Sequence, residues 1–203
     1  MASTQKDYFS EKAEEFDVQS SITQNVGNIG QLILKEIPFS KEMHVMDFGS
    51  GTGLLLSQIA PFVKEITAID ISKAMIGVLQ SKLDRIECKV QILEMDLTKE
   101  TLETEFDAIV SSMTIHHIEN VQAIFNKFYT LLKDNGSIAI ADLDVEDGSF
   151  HTEDTGVFHT GFDRNEFFKI AENAGFKDLK IQTASIMEKP TGLYPVFLLT
   201  GKK

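Results

Sequence analysis

Val45-Met46-Asp47-Phe48-Gly49-Ser50-Gly51-Thr52-Gly53 is the stretch on which the fold turns. Its first four residues read as a short buried strand, which runs directly into three glycines at alternate positions. A glycine-rich turn between a strand and a helix lets a ligand approach the backbone closely and presents the N–H groups of the helix start. The nicotinamide fingerprint spaces its glycines G-x-G-x-x-G, and here the third glycine comes one residue early. No Gly-Lys-Ser/Thr follows, so the loop is not a phosphate-binding P-loop. Asp47, two residues before the first glycine, would repel a pyrophosphate and suit a cation.

Outward from this loop the chain alternates between strand and helix patterns. Ile22, Val26, Ile29, Ile33 and Ile37 form one helical face that ends at Pro38. Leu54 to Ala60 predicts a helix closed by Pro61. Ile66–Ile69 predicts a second strand, and Ser72 an N-cap for a helix through Lys82. Val90–Met95 and Phe106–Ser111 predict the third and fourth strands. Val121, Ile124, Phe125, Phe128 and Leu132 form the next helical stripe, and Asn135-Gly136 turns into a fifth strand at Ser137–Asp142. Asp163 with Glu166 resembles a capping box for a helix that stops at Gly175. Two late strands follow, near Leu179–Ser185 and Tyr194–Thr200. Short apolar strands alternating with helices predict a parallel sheet covered on both faces. About eight residues, too few for a crossover helix, part the last two strands, so the last one should enter antiparallel. Ligands in such sheets sit beyond the carboxyl ends of the strands.

The chain has 203 residues and a net charge of −12, which argues against gripping nucleic acid or an anionic membrane. One cysteine, Cys88, excludes an internal disulfide and a multi-cysteine zinc site. The polar start, with no apolar segment, and the lack of any run near the ~20 apolar residues of a membrane span predict a cytoplasmic protein. A single domain is expected, with residues 1–38 as an N-terminal helical lid or cap and 39–203 as its core.

The string Val45–Gly53 resembles motif I of the class I S-adenosylmethionine-dependent methyltransferases, and further landmarks over roughly residues 40–200 follow in the family's order. The resemblance implies a Rossmann-like α/β three-layer sandwich with a seven-stranded, mostly parallel sheet and an antiparallel last strand. It implies S-adenosyl-L-methionine as cofactor, S-adenosyl-L-homocysteine as product and a small-molecule acceptor methylated by in-line displacement. Asp47 and the backbone of Gly49 and Gly51 would position the methionine moiety, with Ser50 and Gly53 in the same cofactor-binding loop. Asp70, 23 residues after Asp47, matches the family's ribose-binding acid. Ile71 and Met75 would sandwich the adenine, Asp96 and Leu97 would bound its edge, and Ser111 and Ser112 would lie near the methionine amino group.

On the acceptor side, His116 and His117 are candidates for a general base, against a reading in which they cap or pack the next helix. Tyr8 and Phe16 belong to a segment resembling the lid of quinone-type methyltransferases, and either face substrate or anchor an amphipathic helix. Residues 142–163 carry seven acidic residues, no lysine or arginine, and His151 and His159 as candidate substrate contacts. A solvated acidic loop is preferred there over a metal site, because Ser111-Ser112 stands where metal-dependent relatives place an acidic ligand. A nucleic-acid methyltransferase would show Asn/Asp-Pro-Pro-aromatic after the fourth strand, where this chain has Ser111-Ser112-Met113-Thr114. A non-catalytic cofactor-binding module and a protein methyltransferase stay open, as do the acceptor atom and the oligomeric state.

Overall fold

The computed structural model describes residues 7–10 and 13–203. Seven strands form one sheet: β1 (His44–Phe48), β2 (Glu65–Asp70), β3 (Lys89–Glu94), β4 (Phe106–Ser112), β5 (Leu132–Leu143), β6 (Lys177–Lys189) and β7 (Gly192–Lys202). Their order is β3-β2-β1-β4-β5-β7-β6. β1 runs parallel to both β2 and β4, and β7 lies antiparallel between β5 and β6. The α/β sandwich with an antiparallel last strand is therefore as expected.

The helices are α1 (Ala13–Phe16), α2 (Ser20–Glu36), α3 (Leu54–Ile59), α4 (Lys73–Gln80), α5 (Val121–Leu131) and α6 (Arg164–Asn173). Successive strand residues point to opposite faces of the sheet, and each face has its own core. Ala139 and Ala141 of β5 pack with Val26, Ile29 and Ile33 of α2 and Leu55, Leu56 and Ile59 of α3. Ile138 and Ile140 face the other way, with the buried side chains of α5 and α6. α2 thus belongs to the covering layer, although it falls within the expected N-terminal cap. Only the chain before it reaches over the strand ends.

Three departures from the sequence pattern have local causes. β6 and β7 are longer than expected and join through Pro190 and Thr191 alone, with Lys189 paired to Gly192. The added positions mix charged residues (Lys177, Asp178, Glu188, Lys189, Lys202), exposed Ile186 and Leu193 and buried Met187, so backbone pairing between β6 and β7 makes them strand where the sequence pattern is irregular. Asn135-Gly136 sits inside β5 as an irregularity: Leu132 already pairs with Phe106, Asn135 takes φ 63°, and regular pairing resumes at Ser137. Pro61 lies within a short 3-10 turn, Ala60–Phe62, that continues α3.

Phenylalanines fill the core between sheet, α5 and α6. The Phe167 ring is fully buried, 5.2 Å from Phe125, 4.9 Å from Phe162 and 4.9 Å from Phe197. Truncation there empties the centre of the cluster. We expect Phe167→Ala to cost about 3–5 kcal/mol in equilibrium unfolding by urea.

Candidate functional site

The carboxyl ends of β1, β2, β3 and β4 open into one cleft of about 1890 Å³. Its floor is the glycine turn. The N–H groups of Gly49 and Ser50 both donate to the carbonyl of Ile69, at 2.8 and 3.0 Å. Gly49 has φ 71°, and a Cβ there would lie 2.2 Å from the Thr114 side chain. Gly51, φ 53°, donates its N–H to Asp70 Oδ2 at 2.7 Å and has open space where a Cβ would stand. Gly53 is placed differently from expectation. It starts α3 in the left-handed region, φ 82°, with its Cβ position 2.5 Å from Leu79, so it serves the packing of α3 on α4 and does not line the cleft.

Asp70 is nearly buried at the end of β2. Burial pushes its carboxyl up, and the N–H groups of Ser72 and Gly51 oppose that shift. Asp47 is buried without such help. Its Oδ2 has no hydrogen-bond partner among the described residues, and burial, then the charge of Asp70, push its carboxyl up to about 7. Ser50 Oγ, Ser112 Oγ and Asn25 Oδ1 are likewise buried without partners, and all four residues line the cleft. Buried polar atoms are nearly always paired, so a cluster of orphans in one cleft marks where a polar ligand belongs.

Further along, Ile71 exposes 53% of its surface beside buried Met75, whose N–H is capped by Ser72 Oγ at 3.2 Å. Asp96 accepts from Thr98 N–H at 3.0 Å and pairs with Lys99 at 2.7 Å, while the Leu97 carbonyl accepts from Lys127. All of these residues except Gly53 lie on the cleft with Asp47 and Asp70.

The N-terminal segment crosses the opening. Asp7 Oδ2 accepts from Ser72 Oγ at 2.9 Å, Tyr8 packs on Gly156, and Phe9 meets the His117 ring edge-on at 5.5 Å. Asp17 holds the far end by accepting from Thr52 Oγ1 at 2.5 Å and from the Lys82 ammonium. Tyr8 and Phe16 both line the cleft.

His116, His117 and His151 stack at the other end, with centroids 4.3 Å apart for the first two and 5.2 Å for His116 and His151. His116 Nδ1 lies 2.6 Å from Asp142 Oδ1, at the end of β5. His117 and His151 are each pushed down to about 4, burial first and then the neighbouring imidazole.

Two expected contacts are corrected. Ser111 is fully buried and spends its hydroxyl on the Phe48 carbonyl at 2.7 Å; strand alternation gives the cleft Ser112 instead. His159 sits outside, its Nε2 2.9 Å from the Ile118 carbonyl, in a separate surface groove near α5 and α6. The acidic segment is an irregular one with Asp147, Glu153, Asp154 and Asp163 exposed, and its carboxylates also tie it down. Asp144 grips Arg164 through two bonds of 2.6 and 2.7 Å, and Glu146, Asp147, Asp154 and Asp163 each cap a backbone N–H. Among the described residues no three histidines, cysteines or carboxylates are grouped to hold a metal ion. Asn25 and Asp142 carried no distinguishing sequence signal: one lies beside the apolar stripe of α2 and the other among seven acids.

The family profile described as "Methyltransferase domain" matches residues 46–140. The chain belongs to the class I S-adenosylmethionine-dependent methyltransferases. It is 31% identical over 156 residues to an uncharacterized methyltransferase of Schizosaccharomyces pombe, covering 68% of this chain and 55% of that one. It is 28% identical over 137 residues to the malonyl-[acyl-carrier protein] O-methyltransferase of Priestia megaterium, covering 66% of this chain and 48% of the relative. The chain therefore spans about half the length of these curated relatives. Its fold superposes, with a TM-score of 0.74 and 16% identity, on Haemonchus contortus phosphoethanolamine N-methyltransferase 2 in complex with phosphomonomethylethanolamine and S-adenosylhomocysteine, covering 97% of this chain and 59% of that one. S-Adenosylmethionine is the methyl donor of the family, and the orphaned polar atoms beside the glycine turn fit its charged methionine end.

Asp47 makes that fit costly before a ligand arrives. A carboxyl raised in the folded state from 3.8 to about 7 adds stability below pH 4 and loses it as pH rises through about 7. The loss amounts to at most about 4 kcal/mol. Asp47→Asn should thus unfold at a higher temperature than the wild type at pH 8 without ligand, and the gap should close towards pH 4. Thermal unfolding across this range checks it.

Proposed function

We propose that this chain transfers the methyl group of S-adenosylmethionine to a small-molecule acceptor held in the cleft. The observation that carries the reading is the unpartnered, buried carboxylate of Asp47 beside the glycine turn, with Ser50 and Ser112 equally unpaired. When bound, the cofactor supplies a methyl group on a sulfonium and leaves as a neutral thioether. This chain's residues bind and align it. Asp47 takes the positive end of the methionine moiety, with Ser50, Ser112 and the backbone of Gly49 and Gly51 around it. Asp70 keeps lone pairs beyond its two backbone bonds and accepts from the ribose hydroxyls. Ile71 and Met75 flank the adenine, and Asp96 and Leu97 bound its edge. Alignment of the nucleophile with the methyl carbon and sulfur is then the main catalytic lever.

The small-molecule assignment draws support from three directions. The net charge of −12 disfavours nucleic acid. The Haemonchus structure holds phosphomonomethylethanolamine, a small molecule, beside S-adenosylhomocysteine. Asp7, Tyr8, Phe9, Glu15 and Phe16 also line the cleft, and a covered site suits a compact acceptor and excludes water. His116, His117, His151, Tyr8 and Phe16 are the side chains we assign to the acceptor.

Two measurements test this reading. Asp70→Ala should weaken S-adenosylhomocysteine binding at least about tenfold by calorimetry, the loss of one charge-assisted pair; unchanged affinity removes the ribose assignment. Asp17→Ala releases Thr52 and Lys82 and should raise the S-adenosylhomocysteine dissociation rate severalfold in stopped flow. An unaltered rate takes the N-terminal segment out of the cofactor's path.

A further inference from the structure

We propose that His116, positioned by Asp142, is the base that removes a proton from the acceptor, and that the acceptor therefore carries its proton on the reacting atom, as a hydroxyl or an amine, and is not a carboxylate. The inference rests on the methyl-transfer reading above.

Three imidazoles meet in the cleft, and the geometry distinguishes them. Asp142 is fully buried and satisfied by three donors. Its Oδ1 lies 2.6 Å from His116 Nδ1 and accepts from Leu143 N–H at 2.8 Å, and its Oδ2 accepts from His116 N–H at 3.1 Å. A carboxylate only accepts, so the bond to Nδ1 places the ring hydrogen there and leaves the Nε2 lone pair free to take a proton. The His116 backbone and ring are both fixed by the same carboxylate, which leaves the ring little freedom to turn.

The other two rings lack such a partner. His117 Nδ1 faces the Gly156 carbonyl at 3.3 Å, and His151 Nδ1 faces Thr155 Oγ1 at 3.1 Å. Both are held near 4 by burial, so they stay neutral around pH 7. Phe9 and Phe150 lie edge-on against His117 and His151, at 5.5 and 4.8 Å. Two neutral rings backed by phenyl groups leave His116, among the described residues, as the imidazole of the three that is bonded to a carboxylate able to balance a gained charge.

The step balances with no further reactant. The acceptor's X–H proton passes to His116 Nε2, the X lone pair forms the bond to the methyl carbon, and the C–S pair goes to sulfur. The positive charge lost at the sulfonium reappears on the His116 ring beside Asp142, and the proton then leaves to water. A carboxylate acceptor has no proton to lose, and methylating it would leave this buried pair idle.

The test uses the full chain. Binding of S-adenosylhomocysteine comes first: its absence sinks the methyl-transfer reading itself, whereas its presence with the failures below sinks only the dyad. Long-range 15N–1H spectra of 15N-histidine protein should show His116 as the Nδ1–H form, lost in Asp142→Asn; an Nε2–H ring in the wild type overturns the assignment and needs no variant to fold. Phenols, alcohols, amines and carboxylic acids are then offered with S-adenosylmethionine, and product S-adenosylhomocysteine is counted. Turnover is expected in a hydroxyl or an amine arm, and which arm responds identifies the acceptor atom. His116→Gln and Asp142→Asn should lower kcat by about 100-fold or more, with S-adenosylhomocysteine affinity within twofold of wild type; a structural role alone would move stability and affinity instead. Turnover of carboxylic acids alone, of no probe at all, or at the wild-type rate in His116→Gln overturns the proposal.

Discussion

The carbonyl oxygen of Ile69 accepts from two successive N–H groups, those of Gly49 and Ser50, and the cleft is arranged around that point. The double bond turns the chain off the line of β1 towards β2. It requires a positive φ at Gly49, and it delivers the Gly51 N–H to Asp70. On the opposite side Thr114 closes against Gly49, with its hydroxyl 3.4 Å from the Gly49 carbonyl. Thr114 leads straight into the turn Ile115–His117. The glycine loop is therefore the joint between the two halves of the cleft. One side carries carboxylates and hydroxyls, and the other carries imidazoles. A side chain at position 49 would have to displace Thr114, and with it the turn that carries the histidines.

That joint explains what the sequence disclosed and what it did not. The loop, Asp47 and Asp70 were legible because their roles depend on local spacing: a strand end, a fixed turn, the next strand end. Met46, Ile66, Ile109 and Ile140 were legible as core because central strands covered on both faces are continuously apolar. The two strands of the outer hairpin were legible but their full length was not, since Lys177, Asp178, Glu188 and Lys189 extend β6 where no apolar alternation records pairing. Asp142 and His116 lie 26 residues apart on different elements, and only the pairing of β4 with β5 brings them together. Ser111 and Ser112 show the finest limit. Adjacent residues of one type face opposite sides of a strand, and composition alone does not say which one meets the cleft.

The acidity of the chain also resolves into separate tasks. Residues 142–163 form a charged segment whose Asp147, Glu153, Asp154 and Asp163 are exposed, and several of its carboxylates also bind backbone N–H groups or Arg164. Such bonds hold in place the 20 residues, 144–163, that join β5 to α6 without a helix or strand of their own. They shape the wall bearing Phe150 and His151.

Two buried carboxylates remain, and they meet opposite requirements. Asp142 has a donor for each oxygen, so its charge is settled within the fold and serves to fix a neighbouring ring. Asp47 has an oxygen with no donor, and its burial works against the charge it would carry. A fold under selection for stability alone would pair it or replace it. Left unpaired beside a turn of glycines, it makes the empty cleft less stable and the filled one more so, because a cation that enters supplies what the protein withholds. The difference between the two aspartates divides the site: the satisfied carboxylate fixes a ring of the protein, and the unsatisfied one leaves an acceptor atom in the wall of the cleft.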